Sequence, residues 1–230
     1  MNTIVRNLQE VRDRITTACF AAGRGPEGVR LLAVSKTFGA EAVREAISQG
    51  QRAFGENYIA EGVEKINALR EYPGLEWHCI GPIQSNKTRL VAENFDWAQS
   101  VDRLKIAQRL SEQRPPHLPP LQICLQVNTD GGLNKSGVAP ADLMALVHAV
   151  VQLPNLTLRG LMTIPEPATT FEAACALHSK AKGIFDQVNK DGGLVEPMDT
   201  LSMGMTADLE AAIASGSTMV RLGTAIFGGR

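Results

Sequence analysis

The sequence predicts an α/β fold, a single (β/α)8 barrel of the TIM type with an extra helix at its N-terminus. Eight short apolar runs alternate with helical segments over 230 residues, a length that suits one barrel domain. Most runs are continuous apolar stretches, as in strands buried on both faces. Such strands pair in parallel through right-handed crossovers, and eight of them close a barrel. An open, doubly wound sheet is the alternative that this pattern leaves. The predicted strands are 29–34, 52–55, 77–80, 97–101, 121–127, 156–164, 200–203 and 219–227.

Residues 1–22 are predicted to form an amphipathic helix that packs on the barrel. Its apolar side chains recur at spacings of three or four and therefore share one helical face. They are Ile4, Leu8, Val11, Ile15 and Cys19. A Gly-Arg-Gly-Pro break at 23–26 follows this segment. No later linker or shift in composition marks a second domain, so residues 1–230 are predicted to form one domain.

The charge balance and the apolar pattern argue against several classes of protein. The chain has 23 basic and 24 acidic residues, whereas non-specific nucleic-acid binding draws on a positive surplus. No apolar run approaches the roughly 20 residues that span a bilayer, and charges interrupt the N-terminal segment. The four cysteines form no C-x-x-C pair, which argues against a disulfide framework or a zinc site. We expect a cytoplasmic protein with no metal, nucleic-acid or membrane partner.

Side chains at the carboxyl ends of the predicted strands are the functional candidates, because loops converge there in a barrel. Lys36 is the most suggestive, since it directly follows the apolar run 31–34. An ammonium group at the rim of a dry barrel loses hydration, which favours the neutral amine that Schiff-base chemistry requires. An ordinary solvated lysine after a strand is the alternative.

The loops after the last two predicted strands have the composition of a phosphate site. Residues 202–206 offer hydroxyls and a glycine before a helical segment, and Gly223 and Thr224 follow Arg221. Barrels often bind phosphate at these loops through backbone N–H groups. Serine and glycine are also common turn residues, which is the alternative explanation. The glycines at 223 and 228 have P-loop spacing, but no Lys-Ser/Thr pair follows them, so we reject nucleotide binding by that motif.

Considered together, these segments closely resemble the YggS/PROSC family of pyridoxal 5′-phosphate (PLP) homeostasis proteins. The matching segments run from the first predicted strand to the last, and jointly they are very specific. They are LLAVSKT (31–37), FGENY (54–58), WHCIGPIQSNK (77–87), NKSG (134–137), RGLMTI (159–164), LSMGM (201–205) and GSTMVRLGTAIFG (216–228). The resemblance implies a barrel like the N-terminal domain of alanine racemase, with PLP bound at its mouth.

The resemblance also implies a role for each matching residue. Lys36 would form an aldimine with PLP, Asn57 would lie near the ring, and Arg221 would face the pyridine nitrogen. The phosphate-binding residues would be Ser202, Gly223 and Thr224, in a pocket shaped by Met203, Gly204 and Thr206.

An arginine at the pyridine nitrogen favours a carrier over an enzyme. Guanidinium keeps its proton at neutral pH, so the nitrogen that faces it stays unprotonated and the ring is a weaker electron sink. Alanine racemases share this arginine but use a tyrosine base from a second β-domain, for which this chain has no room. Its two tyrosines, Tyr58 and Tyr72, are not at strand ends of the required kind.

We therefore expect a monomeric protein, with no catalytic residues, that holds PLP on Lys36 and delivers it to apo-enzymes. The alternative is a PLP-dependent enzyme, such as a racemase-like protein with weak activity. A phosphate-binding barrel isomerase without PLP is a third class, for which no convincing pair of a catalytic carboxylate and a histidine is found. Lys135, after the fifth predicted strand, either helps to pass on the cofactor or is an ordinary solvated lysine.

Overall fold

A computed structural model describes residues 3–132 and 136–229. Within them, eight parallel strands pair in chain order and close into a barrel, which confirms the predicted fold class. The strands are β1 (Arg30–Val34), β2 (Ala53–Glu56), β3 (Glu76–Cys79), β4 (Trp97–Val101), β5 (Leu121–Gln126), β6 (Leu156–Met162), β7 (Thr200–Ser202) and β8 (Met219–Leu222). The helices are α1 (Thr3–Ala21), α2 (Ala40–Ser48), α3 (Ile59–Ala68), α4 (Thr88–Asn94), α5 (Leu104–Gln113), α6 (Pro140–Val150), α7 (Phe171–Asp191), α8 (Leu209–Ala214) and α9 (Thr224–Phe227).

The last strand is shorter than the sequence predicts. The prediction of a strand over 219–227 is wrong, because β8 ends at Leu222 and α9 begins at Thr224. The carbonyl of Gly223 accepts hydrogen bonds from the N–H groups of Ile226 and Phe227, each at 2.9 Å, and so closes a helical turn. The apolar run continues because these two side chains are buried. Hydrophobicity alone therefore could not mark the end of the strand.

Pairing between β1 and β8 closes the barrel. Arg30 lies opposite Met219 and Ala33 lies opposite Leu222. Both strands run in the same direction, so the loops that follow them lie side by side at one end of the barrel. This end is called the mouth below.

Helix α1 packs across the elements that follow β7 and β8. Its buried face carries four of the five predicted apolar residues, and Ile4 is partly buried. The Asn7 amide donates to the Ile226 carbonyl at 3.1 Å, and Arg14 Nη2 donates to Glu210 Oε2 at 2.7 Å. Helix α1 therefore contacts α8 and α9.

Strand alternation divides the side chains between two environments. Residues such as Ala33, Ala98 and Val220 point outward and join the large core between barrel and helices. Leu32 and Trp97 point inward and belong to two small apolar clusters inside the barrel. Across residues 3–132 and 136–229, no helix combines the length and the apolar character needed to cross a membrane.

Candidate functional site

A cavity of about 460 Å³ lies at the mouth of the barrel. Five of the eight predicted site residues line it, and they come from the loops after β1 and β2 and from β8 and its loop. These five are Lys36, Asn57, Arg221, Gly223 and Thr224. The rest of the wall is formed by Val34, Ile80, Ile164, Met205, Thr206 and Ala207. The structure thus assembles most of the predicted residues around one space.

Lys36 lies in the turn after β1, and its side chain is exposed at the cavity. Among the described residues, no hydrogen bond or ion pair engages its ammonium group. The next residue, Thr37, has a left-handed backbone with φ of 68°, which non-glycine residues rarely adopt. The Thr37 N–H donates to Glu61 Oε1 at 2.5 Å, which holds this turn in place.

A buried cluster of charged side chains supports the turn that carries Lys36. Lys65, from α3, donates to the Ser35 carbonyl at 2.6 Å and to Glu56 Oε1 and Glu61 Oε1 at 2.7 Å each. Glu56 Oε1 also accepts the Ser35 hydroxyl at 2.6 Å. Burial raises the pKa of Glu56, although Lys65 and Ser35 donate to it. This charged cluster (Glu56, Glu61 and Lys65) binds both the backbone and the side chain of Ser35, directly before Lys36.

Arg221, on the neighbouring strand β8, is held by neutral groups. Its Nη1 donates to the Ser202 hydroxyl and its Nη2 to the Thr163 carbonyl, both at 2.8 Å. No partner for its Nε–H is found among the described residues, and Arg221 lines the cavity. Burial lowers the pKa of Arg221 to about 10, while the nearby Asp208 carboxylate raises it. The guanidinium therefore stays charged at neutral pH, and its Nε–H is available as a donor.

The loops after β7 and β8 present unused backbone donors to the cavity. Thr206, Ala207, Gly223 and Thr224 all line it. Within the described part of the chain, none of their backbone N–H groups has a hydrogen-bond acceptor. The hydroxyls of the two threonines lie in the same loops. This donor set suits an anion with several oxygen acceptors.

The three remaining predicted residues lie below the cavity. Ser202, Met203 and Gly204 are buried and do not line it. The Ser202 hydroxyl donates inward to Gln99 Oε1 at 2.7 Å while it accepts from Arg221. Gly204 has φ of 96°, and a Cβ there would lie 2.5 Å from the Ala212 Cβ. The structure thus places these three residues beneath the cavity wall, while Thr206 and Thr224 carry the hydroxyls that line the cavity.

The model of the family of alanine racemase N-terminal domains matches residues 4–230. The pyridoxal phosphate homeostasis protein of Pseudomonas aeruginosa is 57% identical over 230 residues, which cover 100% of this chain and 97% of that protein. The chain belongs to the family of alanine racemase N-terminal domains. The structure of PipY from Synechococcus elongatus with PLP bound matches with a TM-score of 0.85 and 36% identity, over 98% of this chain and 100% of PipY. Alanine racemase from Clostridium difficile has a TM-score of 0.73 at 16% identity, over 99% of this chain and 57% of the racemase, and shows the shared fold alone.

The residues around the cavity fit the cofactor that this family implies. PLP has an aldehyde that an amine such as Lys36 can attack, and a pyridine nitrogen that can accept the spare N–H of Arg221. Its phosphate matches the unused N–H groups of the two loops. Ile80 and Ile164 offer apolar surface for the faces of a ring. Lys135 lies outside the described residues.

Two supporting residues were missed in the sequence, although each left a signal. Lys65 shares the buried face of α3 with Ile59 and Gly62, and a lysine in an apolar stripe indicates a buried partner. Gln99 interrupts the buried strand β4 with an amide, which needs hydrogen-bond partners inside the barrel.

Proposed function

We propose that this chain binds PLP covalently through Lys36 and serves PLP homeostasis by passing the cofactor to apo-enzymes. One observation carries the proposal. In the part of the chain that the structure describes, a single cavity joins a lysine without an ion pair, an arginine with a spare N–H and two loops with unused backbone donors. The name of the P. aeruginosa relative and the PLP in the structure of PipY support it.

Each side chain has a separate task in this proposal. PLP, when bound, supplies a reactive aldehyde that combines reversibly with amines. Lys36 would provide the amine, and Arg221 would hold the ring through the N–H that has no partner among the described residues. Backbone N–H groups of residues 206, 207, 223 and 224 hold the phosphate. Asn57 lies at the cavity wall between β2 and Ile80, where it can contact the ring.

The composition of the cavity wall supports a carrier over a racemase. Racemisation needs a base on each face of the substrate carbon. Of the residues that line the cavity, Lys36 and Arg221 are the ionisable ones, and the guanidinium keeps its proton. Neither tyrosine lines it, and Tyr58 is 58% exposed on the surface. Within residues 3–132 and 136–229 the wall therefore offers no second base, and we propose that the holo-protein does not turn over amino acids.

Borohydride reduction after incubation with PLP tests the covalent site. The wild-type chain should acquire a single pyridoxyl group on the peptide that contains Lys36, as read by mass spectrometry of a digest. Lys36→Ala should lose it, because the amine is gone. Lys190→Ala is the matched control, since Lys190 is an exposed lysine at the far end of α7. Adducts spread over surface lysines in all three proteins would contradict the proposal.

Two further assays separate carrier from enzyme. Holo-protein mixed with an apo-aminotransferase should restore aminotransferase activity, whereas Lys36→Ala treated in the same way should not. Incubation of the holo-protein with L- and D-alanine should leave both enantiomers unchanged on chiral chromatography. Racemisation that depends on Lys36 would instead favour the racemase-like alternative.

We also propose that the chain acts as one domain and one subunit in the cytoplasm. The residues that line the cavity all lie at the mouth of one barrel, which suits a single domain. The four cysteines are free thiols, which suits a reducing compartment. Sedimentation of the holo-protein should give the mass of a monomer, and a concentration-dependent dimer would contradict this proposal.

A further inference from the structure

A row of buried polar side chains runs through the interior of the barrel from the mouth towards its other end. Ser202, Gln99 and His78 are each 0% exposed. The Ser202 hydroxyl bonds to Gln99 Oε1 at 2.7 Å, and Gln99 Nε2 bonds to His78 Nδ1 at 2.8 Å. His78 Nε2 bonds to Glu76 Oε1 at 2.7 Å, and Arg30 Nη2 donates to the same oxygen at 2.7 Å.

The direction of each hydrogen bond in this polar row determines the next. The Ser202 hydroxyl accepts from Arg221, so its one proton goes to Gln99 Oε1. The amide of Gln99 then presents its nitrogen, a donor, to His78 Nδ1. His78 therefore carries its proton on Nε2 and donates it to Glu76. Burial lowers the pKa of His78, which agrees with a neutral ring.

A stable barrel does not need these polar groups. Barrel interiors are usually filled by layers of branched apolar side chains, and each buried amide or imidazole loses hydration that only hydrogen bonds compensate. Here the row ends at Arg221, which faces the cavity. A guanidinium held at Nη1 and Nη2 has a set plane, and its Nε–H therefore has a set direction.

We propose that Gln99 is a positioning residue for cofactor binding, because it holds the Ser202 hydroxyl that orients Arg221 towards the pyridine nitrogen of PLP. This inference rests on the proposed function. Gln99 lies on β4 and does not line the cavity, so it acts through Ser202. The Thr163 carbonyl still holds Arg221 when Gln99 is lost, and the effect is therefore partial.

Gln99→Met tests the proposal, because methionine keeps the length of the side chain and removes the amide. Ser202 then loses its acceptor, and its hydroxyl can turn away from Arg221. We expect PLP to leave the variant about three- to tenfold faster than the wild-type protein, as for the loss of one hydrogen bond. The rate is measured by capture of the released cofactor with excess apo-aminotransferase. The visible absorption band of the bound cofactor should also shift, since it reports on the contact to the ring nitrogen.

Gln51→Met is the matched control for lost stability. Gln51 is also buried and donates to two carbonyls, those of Leu31 and Ala53 at 3.0 and 2.8 Å, near the opposite end of the barrel. Urea unfolding of both variants measures their stability, and Gln51→Met should keep the wild-type release rate and absorption band. Ser202→Ala is a second test, should Gln99→Met fail to fold. It should shift the band in the same direction as Gln99→Met.

The outcomes separate this inference from the proposed function. A wild-type protein without a pyridoxyl group on Lys36 contradicts the proposed function, and the inference with it. A wild-type protein that carries the group, with Gln99→Met and Ser202→Ala indistinguishable from Gln51→Met in release rate and absorption band, contradicts the inference alone.

Discussion

The two sides of the cavity hold their functional side chains in different ways. Below Lys36, the charged cluster of Glu56, Glu61 and Lys65 bonds to the backbone before and after the lysine. Below Arg221, neutral groups provide the contacts, and the Ser202 hydroxyl and the Thr163 carbonyl bond to the guanidinium itself. One side therefore fixes a backbone turn and the other fixes a side chain.

The two sides nevertheless have one feature in common. Among the described residues, neither Lys36 nor Arg221 forms an ion pair with a carboxylate. The carboxylates of the charged cluster are occupied by Lys65, and Asp208 Oδ2 bonds to His178 at 2.9 Å while Oδ1 accepts the Met205 N–H at 2.6 Å. Both cations therefore remain available to an anionic ligand. The chain pairs its structural charges with one another and leaves the functional ones unpaired.

Lys65→Met should have the largest effect, because it removes the cation of the charged cluster below Lys36. Lys65 is 5% exposed and Glu56 is 0% exposed, and removal of one partner of a buried ion pair costs about 3–5 kcal/mol. Urea unfolding at neutral pH should show a loss of this size, and Lys105→Met, at an exposed position, should show almost none. The double variant Lys65→Met/Glu56→Gln should recover part of the loss. A single variant as stable as the wild-type protein would show that the cluster does not support the turn.

Gly204→Ala tests the backbone on the neutral side. The new Cβ meets the Ala212 Cβ at 2.5 Å, and φ at this position is 96°. Overpacking combined with a strained φ should lower the free energy of unfolding by about 1–3 kcal/mol and weaken PLP binding. Gly183→Ala, in α7, places its Cβ in open space and should instead stabilise the protein by up to about 1 kcal/mol. Thermal unfolding and PLP titration of both variants measure the difference, and equal behaviour would contradict the prediction.

The smallest expected effect is on the pH dependence of stability. It comes from His78, a member of the polar row. Burial lowers the pKa of His78 below its ordinary value of 6.5 in the folded protein. The unfolded chain therefore binds a proton near pH 6.5 that the folded chain does not bind. The stabilising contribution is present above pH 6.5 and is lost as the pH falls, by at most about 1.4 kcal/mol per pH unit.

Urea unfolding between pH 7.5 and 5 measures this slope. His78→Gln should reduce it, because glutamine does not titrate, while Glu76 and Arg30 remain in place. An unchanged slope in the variant would assign the dependence to other groups.

Much of the fold was predictable because its signal is periodic. Continuous apolar runs mark strands buried on both faces, and all eight predicted strands overlap the observed ones. The end of β8 was not predictable, since Thr224–Phe227 packs into the core as a helix and is as apolar as the strand before it.

Only part of the candidate site was predictable, because the sequence gives positions along the chain and not the directions of side chains. Strand ends indicate where Lys36, Asn57 and Thr224 lie, but they do not show where a side chain points. Strand β7 has three residues, too few for alternation to show that Ser202 faces inward. Contacts such as Lys65 to Ser35 link different elements, and spacing along the chain does not encode them.

The pairing of β1 with β8 has a consequence for the order in which the protein is made. During synthesis the Lys36 turn emerges early, whereas Gly223 and Thr224, its neighbours at the cavity, appear only after all eight strands have been synthesised. A nascent chain therefore exposes its lysine before the two loops proposed to bind phosphate exist. Under the proposed function, cofactor loading waits for the barrel to close, because those loops are absent until then. Helix α1 docks on α8 and α9 at that same late stage.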